Sequence, residues 1–237
     1  MLKNISLLLI AFSLILCCSC SLSSDAKKYL EEKYNDTFTE LGHKGYSSYS
    51  VSWLESKTNP GLYVEVEKDK KSKEYFDNYN VRYIAYTFSN NIKDNIKEYV
   101  DDCYVYSSYD ATLEKYVTSK TMEELMSNEE ETRSFFPYVF VEESKATKED
   151  IYKAAQILRN NFSNVRGTFK FVVVKDGSIK NIKNDIKKYQ TVNYSDFYEY
   201  IIYESKSISL SPTLRLESYY VYDDYSFPLE QDFWEEK

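Results

Sequence analysis

Three residue types in this chain can carry chemistry through their placement: one histidine, a few cysteines and many carboxylates. The histidine, His43, lies in Leu41-Gly42-His43-Lys44-Gly45, a run that reads as a flexible, solvated turn. A lone imidazole cannot supply the multi-histidine sets of zinc enzymes, and HExxH is absent. As a triad base it would need a partnered nucleophile, yet no GxSxG occurs. Five scattered glycines cannot build a phosphate-cradling loop. Aspartate and glutamate total 38, so a glycosidase-type pair stays open, because such a pair is defined by geometry and leaves no sequence pattern. Asp101-Asp102 and Asp223-Asp224 are adjacent, which in a strand sends the two side chains to opposite faces. They lack the alternating oxygen-ligand spacing of a calcium loop. No catalytic residue, metal site or cofactor is assigned.

Aromatic rings are the other resource. Tyrosine occurs 25 times. Tyr219-Tyr220-Val221-Tyr222 and the stretch Tyr198 to Tyr203 can present rings for stacking on glycans or peptides, with an apolar body and a polar tip. Tyr219, Tyr220 and Tyr222 are the candidate binding surface. Two plainer causes compete with that reading. Tyr, Lys, Asn and Ile all have AT-rich codons, and Tyr is a good strand former. Cys103, in Asp102-Cys103-Tyr104-Val105-Tyr106, reads as a buried, inert strand thiol.

The elements that would hold these residues are legible in part. Ala26, Tyr29, Leu30 and Tyr34 recur at helical spacing after Ser24-Asp25. Ser50–Leu54 and Leu62–Glu67 alternate on either side of Thr58-Asn59-Pro60-Gly61, predicting an antiparallel hairpin with one wet side. Lys68 to Lys73 reads as a charged, solvated loop, its lysines diluted by Asp69 and Glu74. Val81–Phe88 reads as a strand, and a helix follows from Asn90-Asn91 with Ile92, Ile96, Tyr99 and Val100 on one face. Cys103–Tyr106 is the next strand.

Residues 110–133 are acidic and helix-prone and mark a boundary between halves. Tyr138–Val141 is a strand, and Thr147 with Asp150 opens a helix in the manner of a capping box. Ile151, Ala154, Ala155, Leu158 and Phe162 mark that helix's face. Phe169–Val174 is a central strand, and Asp176-Gly177 suggests a two-residue hairpin. Tyr198–Tyr203 and Thr213–Tyr222 are late strands, and Trp234 in the acidic tail can dock. The class is α+β: antiparallel sheets with several packed helices, and two similar halves if the helix-then-hairpin order of 25–67 recurs in 148–182.

The first nineteen residues stand apart. Lys3 and the amino terminus precede an apolar run from Ile5 to Leu16, then Cys17-Cys18-Ser19-Cys20, after which the chain turns polar. This is the order of an export signal, and the run falls short of the roughly 20 residues that span a bilayer. Its end resembles the lipobox of bacterial lipoproteins, in which a lipidated cysteine follows the cleavage point. Ser19 fits the small residue before that cysteine, Cys18 is acceptable, and Cys17 stands where the family usually has leucine. The resemblance implies cleavage before Cys20 and lipidation there, with Cys18 or Cys17 as alternatives, or an ordinary secretory signal. It covers residues 1–20 alone.

The organisation expected is a signal peptide at 1–19, a membrane-proximal α+β region at 20–133 and a second at 134–237, or one continuous domain. Without residues 1–19, whose one charged side chain is Lys3, 218 residues remain (237 less 19) with net charge −9 in place of −8. Such an acidic balance argues against nucleic acid and against anionic headgroups as general partners, since both demand a basic face. With Cys20 acylated, Cys103 has no partner for a disulfide. The expectation is a membrane-anchored extracytoplasmic lipoprotein that binds a protein or cell-wall polymer without being an enzyme. The alternatives are a carboxylate-based envelope hydrolase and a surface antigen without a specific ligand.

Overall fold

The structure, a computed structural model, describes residues 25–109, 135–163, 167–189, 197, 199–205, 208–209 and 233–234. The chain forms two compact units that divide between Arg82 and Tyr83. The class is α+β, with four helices and two sheets among the described residues.

The first unit opens with α1 (25–34). Its Ala26 and Leu30 are buried, while Lys27–Glu31 and Lys28–Glu32 pair across one turn on the outside. Four strands follow as an antiparallel meander: β1 (Phe38–Gly45), β2 (Tyr49–Ser56), β3 (Tyr63–Asp69) and β4 (Tyr75–Asp77). The expected hairpin is β2–β3. Its turn closes with Leu62 N–H donating to the Asn59 carbonyl (3.0 Å), and Gly61 takes φ 95°, a conformation that suits glycine.

His43 is not in a turn. It stands in β1 opposite Ser52, half-buried, with Nδ1 3.1 Å from the Ser52 hydroxyl. The pairing with β2 overrides the local signal of Gly42 and Gly45, and a register shift between Glu40 and Gly42 absorbs the irregularity.

The predicted strand at Val81–Phe88 is a helix. α2 runs from Tyr79 to Ile96 without a break, and its first residues belong to the first unit. β-branched and aromatic content suggested a strand, but Val81, Ile84, Ala85, Phe88, Ile92 and Ile96 are all buried at three- to four-residue spacing. That period continues the stripe already assigned to the residues after Asn91, so one helix satisfies both segments.

The second unit places its strands in the order β5 (Cys103–Tyr109), β6 (Phe135–Glu142), β7 (Thr168–Val174) and β8 (Ile201–Glu204), with β9 (Ile208–Ser209) also on β7. β6 and β7 are parallel, which requires a crossover, and α3 (Lys148–Asn161) provides it. The capping box forms as expected: the Thr147 hydroxyl accepts from Asp150 N–H at 3.1 Å, and the Asp150 carboxylate accepts from Thr147 N–H at 3.1 Å. Ile151, Ala154, Ala155 and Leu158 are fully buried. Phe171 to Val174 are buried too, and since successive side chains alternate faces, both faces of this strand are covered.

Asp176-Gly177 does not turn into a hairpin. Ser178 N–H donates to the Lys175 carbonyl (3.1 Å), Gly177 takes φ 80°, and the chain enters α4 (Ile179–Tyr189). Ile182 and Ile186 are buried one turn apart, and both edges of β7 are already occupied by β6 and β8. The helix-then-hairpin order of 25–67 is therefore not repeated in 148–182. The acidic stretch 110–133 lies outside the described residues.

Candidate functional site

Cys20, Tyr219, Tyr220 and Tyr222 lie outside the described residues, as do Asp223-Asp224 and the strand expected at Thr213–Tyr222. Cys103 opens β5 and is buried. Burial pushes its thiol up to about 11, so it stays protonated and unreactive at neutral pH. Trp234 docks: it bridges to Ser205 in an antiparallel pair and meets Tyr203 edge to face at 5.0 Å. Lys148 lies over both rings, at 4.6 and 5.3 Å from their centroids. Asp102 pairs with Lys145 at the surface, and no described group of three or more His, Cys, Asp or Glu is placed to hold a metal.

Among the described residues the densest polar constellation is one that sequence reasoning missed. Asp77, at the end of β4, has a side chain 1% exposed. Its carboxylate accepts from the Tyr29 hydroxyl (2.8 Å), the Lys33 ammonium (2.7 Å), the Tyr34 hydroxyl (2.7 Å) and Tyr79 N–H (3.0 Å). Tyr29 stacks on Tyr75 and Tyr34 on Tyr79, with centroids 4.7 and 3.9 Å apart. Burial works against the charge on Asp77, but the donors from Lys33, Tyr34, Tyr29 and Tyr79 outweigh it and hold the carboxyl below its usual range. Lys33 shifts up: partial burial opposes its charge, and its bonds to Asp77 and the two phenols more than compensate. Tyr34 is raised by burial and by Asp77.

Asp36 is built the same way. It accepts from the Ser56 hydroxyl and from Thr37 N–H, both at 2.6 Å, and these donors lower its pKa against the effect of burial. A general acid needs a carboxyl pushed upward. These two are pushed down, and they serve as clasps that tie α1 and the loop after it to the sheet.

The ladder also sorts the first unit's sheet into two faces, since paired residues project to the same side. The row His43–Ser52–Val66–Asp77 faces α1. The next row, Lys44–Val51–Glu67–Phe76, faces the other way, and so does Gly42–Trp53–Glu65. On that side Phe76 is 59% exposed. Trp53 is half-buried and donates its indole N–H to Glu65 at 2.8 Å. Gly42 lies under the indole edge: a Cβ there would meet Trp53 Cε3 at 3.6 Å, an ordinary van der Waals contact. Rings beside carboxylates on a sheet face suit stacking and hydrogen bonding to a partner. The alternation of Val51 and Trp53 with serines was the available signal.

In the second unit, Tyr138, Lys170 and Glu204 share a region of the sheet. Lys170 pairs with Glu204 at 3.0 Å, both largely buried, and burial raises the Tyr138 phenol.

No known family profile matches the chain, and no curated protein matches its sequence. Among solved structures it is similar to the crystal structure of a DUF5037 family protein from Ruminococcus gnavus ATCC 29149. The TM-score is 0.61 at 14% identity, covering 80% of this chain and 93% of that one. At that identity the likeness is one of fold.

Proposed function

We propose that the chain is an extracytoplasmic lipoprotein, anchored in the cell membrane through Cys20, that acts as a binding or accessory protein of the envelope. The order of Lys3, the apolar run and Ser19-Cys20 carries this reading, together with a folded unit whose first helix starts at residue 25. Among the described residues no helix is long and apolar enough to cross a membrane. Two acyl chains, at about 0.8 kcal/mol per buried CH₂, hold a protein where one would not. Cys20→Ser is expected to abolish labelling by a radioactive fatty acid and to release the protein from membranes. Persistent labelling would move the anchor to Cys18 or Cys17.

Binding is supported by the rings beside Glu65 and Glu67, while the densely bonded carboxylates Asp36 and Asp77 are engaged in holding the fold. The partner is a protein or a cell-wall polymer, met close to the membrane. The mature chain should be retained on isolated peptidoglycan or on envelope peptides without forming product. Trp53→Ala with Phe76→Ala should lower retention at least about 10-fold, the scale of a ring at an interface centre. Turnover that disappears on replacing one Asp or Glu, with the fold intact, would replace this reading by the hydrolase.

A further inference from the structure

The topology of the first unit decides which end of its sheet meets the anchor. α1 reaches β1 through only residues 35–37, so the start of α1 and the end of β1 share one end of the sheet. Side chains agree: Asp25, the first residue of α1, pairs with Lys68 near the end of β3 at 3.0 Å, and Tyr29 stacks on Tyr75 at the start of β4. The β1–β2 turn and the β3–β4 turn both lie at this end. They are tied together by Lys70, whose N–H donates to the Ser48 carbonyl (2.9 Å) and whose ammonium donates to the Tyr46 carbonyl.

What this end of the sheet exposes is basic. Lys44, Lys70, Lys71 and Lys73 are exposed, against Asp69 and Glu74, a local excess of two positive charges on a chain of net −8. The Asp69 carboxylate is turned back into its own loop, where it accepts from Lys71 N–H and Ser72 N–H at 2.7 Å each. Tyr46 is 36% exposed, stacked on Tyr49 with Lys44 over its ring. An amphipathic ring among lysines is the composition that settles at headgroup depth. At the opposite end the β2–β3 turn carries Thr58-Asn59-Pro60-Gly61.

We propose that the end of the sheet carrying Lys44, Tyr46, Lys70, Lys71 and Lys73 is a foot that rests on the anionic headgroups of the membrane holding the anchor. The inference builds on the lipid-anchor reading and adds an orientation to it. Five residues from Cys20 to residue 25 extend at most about 18 Å, about two Debye lengths at physiological salt, so the tether keeps the anchored end where it can settle on the surface. The rest of the first unit carries more carboxylates than lysines and arginines and is repelled by the same surface, which turns it outward. The first unit stands on its turns and presents its β2–β3 end away from the bilayer.

The test uses the full chain processed in a bacterial host and mixed with vesicles, with a fluorophore on Ser72→Cys or, at the far end, on Asn59→Cys; buried Cys103 stays unlabelled. A headgroup-attached quencher should quench the Ser72 probe several-fold more than the Asn59 probe in vesicles containing phosphatidylglycerol. Most of that quenching should be lost in pure phosphatidylcholine, in high salt, or in K70E/K71E/K73E, and retained in the far-end control K57E. Equal quenching at both positions, or quenching at Ser72 that ignores lipid charge and the triple variant, overturns the foot. A chain that does not sediment with neutral vesicles has no anchor, which refutes the lipoprotein reading separately. In that case binding to phosphatidylglycerol vesicles that K70E/K71E/K73E abolishes supports the foot, and absence of binding overturns it.

Discussion

Asp77→Ala is expected to destabilise the first unit by about 3 kcal/mol. The carboxylate has a side chain 1% exposed and accepts from three side chains and one backbone N–H. Its removal strands the Lys33 ammonium between two rings and leaves Tyr79 N–H without its acceptor at the start of α2. Lys33 is 43% exposed, and the two phenols are half-buried, so water recovers part of the loss. The figure therefore falls at the lower end of the range for breaking a buried pair. Asp77→Asn should cost less, because the amide oxygen still accepts from one or two donors.

The same variants have a pH signature. The Asp77 carboxyl is held below its unfolded value near 4. Its contribution is thus complete above that value and disappears as pH falls through the folded pKa. The wild-type chain should lose stability below about pH 4, and Asp77→Asn should flatten part of that loss, with Asp36 still contributing the remainder. Urea midpoints measured from pH 7 down to pH 3 read both effects. A midpoint for Asp77→Ala equal to wild type at pH 7 would mean that the clasp does not hold α1.

Signals that act over a few residues were legible, and signals that depend on partners far along the chain were not. Thr147 and Asp150 are three residues apart, and their reciprocal bonds need nothing beyond the first turn of α3. Pro60-Gly61 sets the β2–β3 turn by backbone geometry alone. By contrast, Tyr29 and Tyr34 lie 48 and 43 residues from Asp77, and nothing in their neighbourhoods marks them as its donors. Val81–Phe88 carries both a strand-forming composition and a helical stripe, and the stripe won because it aligns with Ile92 and Ile96. Gly177 supports a positive φ in a hairpin or at the entry to a helix alike, and only the occupied edges of β7 decide between them.

Charge shows the same limit. A net value of −8 argues against contact with an anionic surface, but it averages over the chain, whereas a membrane meets only the end turned toward it. In the sequence, Asp69 and Glu74 dilute the lysines of the loop Lys68 to Lys73. In the fold, Asp69 is engaged with its own loop backbone, and Lys44 joins from the end of β1, more than twenty residues away.

In the second unit, Phe140→Ala is expected to cost about 3–5 kcal/mol, the range for truncating a fully buried phenylalanine. Phe140 lies in β6 opposite Tyr104 of β5 and Val172 of β7, and it has no exposed surface. Tyr104 and Tyr138 flank it at 6.1 and 6.2 Å, and Phe197 meets it edge to face at 5.9 Å. α4 packs on this strand, with Lys183 over the Tyr104 ring at 5.1 Å. Removing the ring leaves a cavity walled by β strands on both sides, which cannot collapse without breaking the ladder, so relaxation recovers little. Phe140→Leu keeps much of the volume and should cost no more than about 1.5 kcal/mol. Urea unfolding should show the midpoint falling in that order with the slope unchanged, since the surface exposed on unfolding is nearly the same. The outcome also bears on the segment after Gly177. If residues 179–189 formed the second strand of a hairpin at the sheet edge, α4 would not lie on β6, and Phe140→Ala would behave as a partly exposed site costing about 1 kcal/mol.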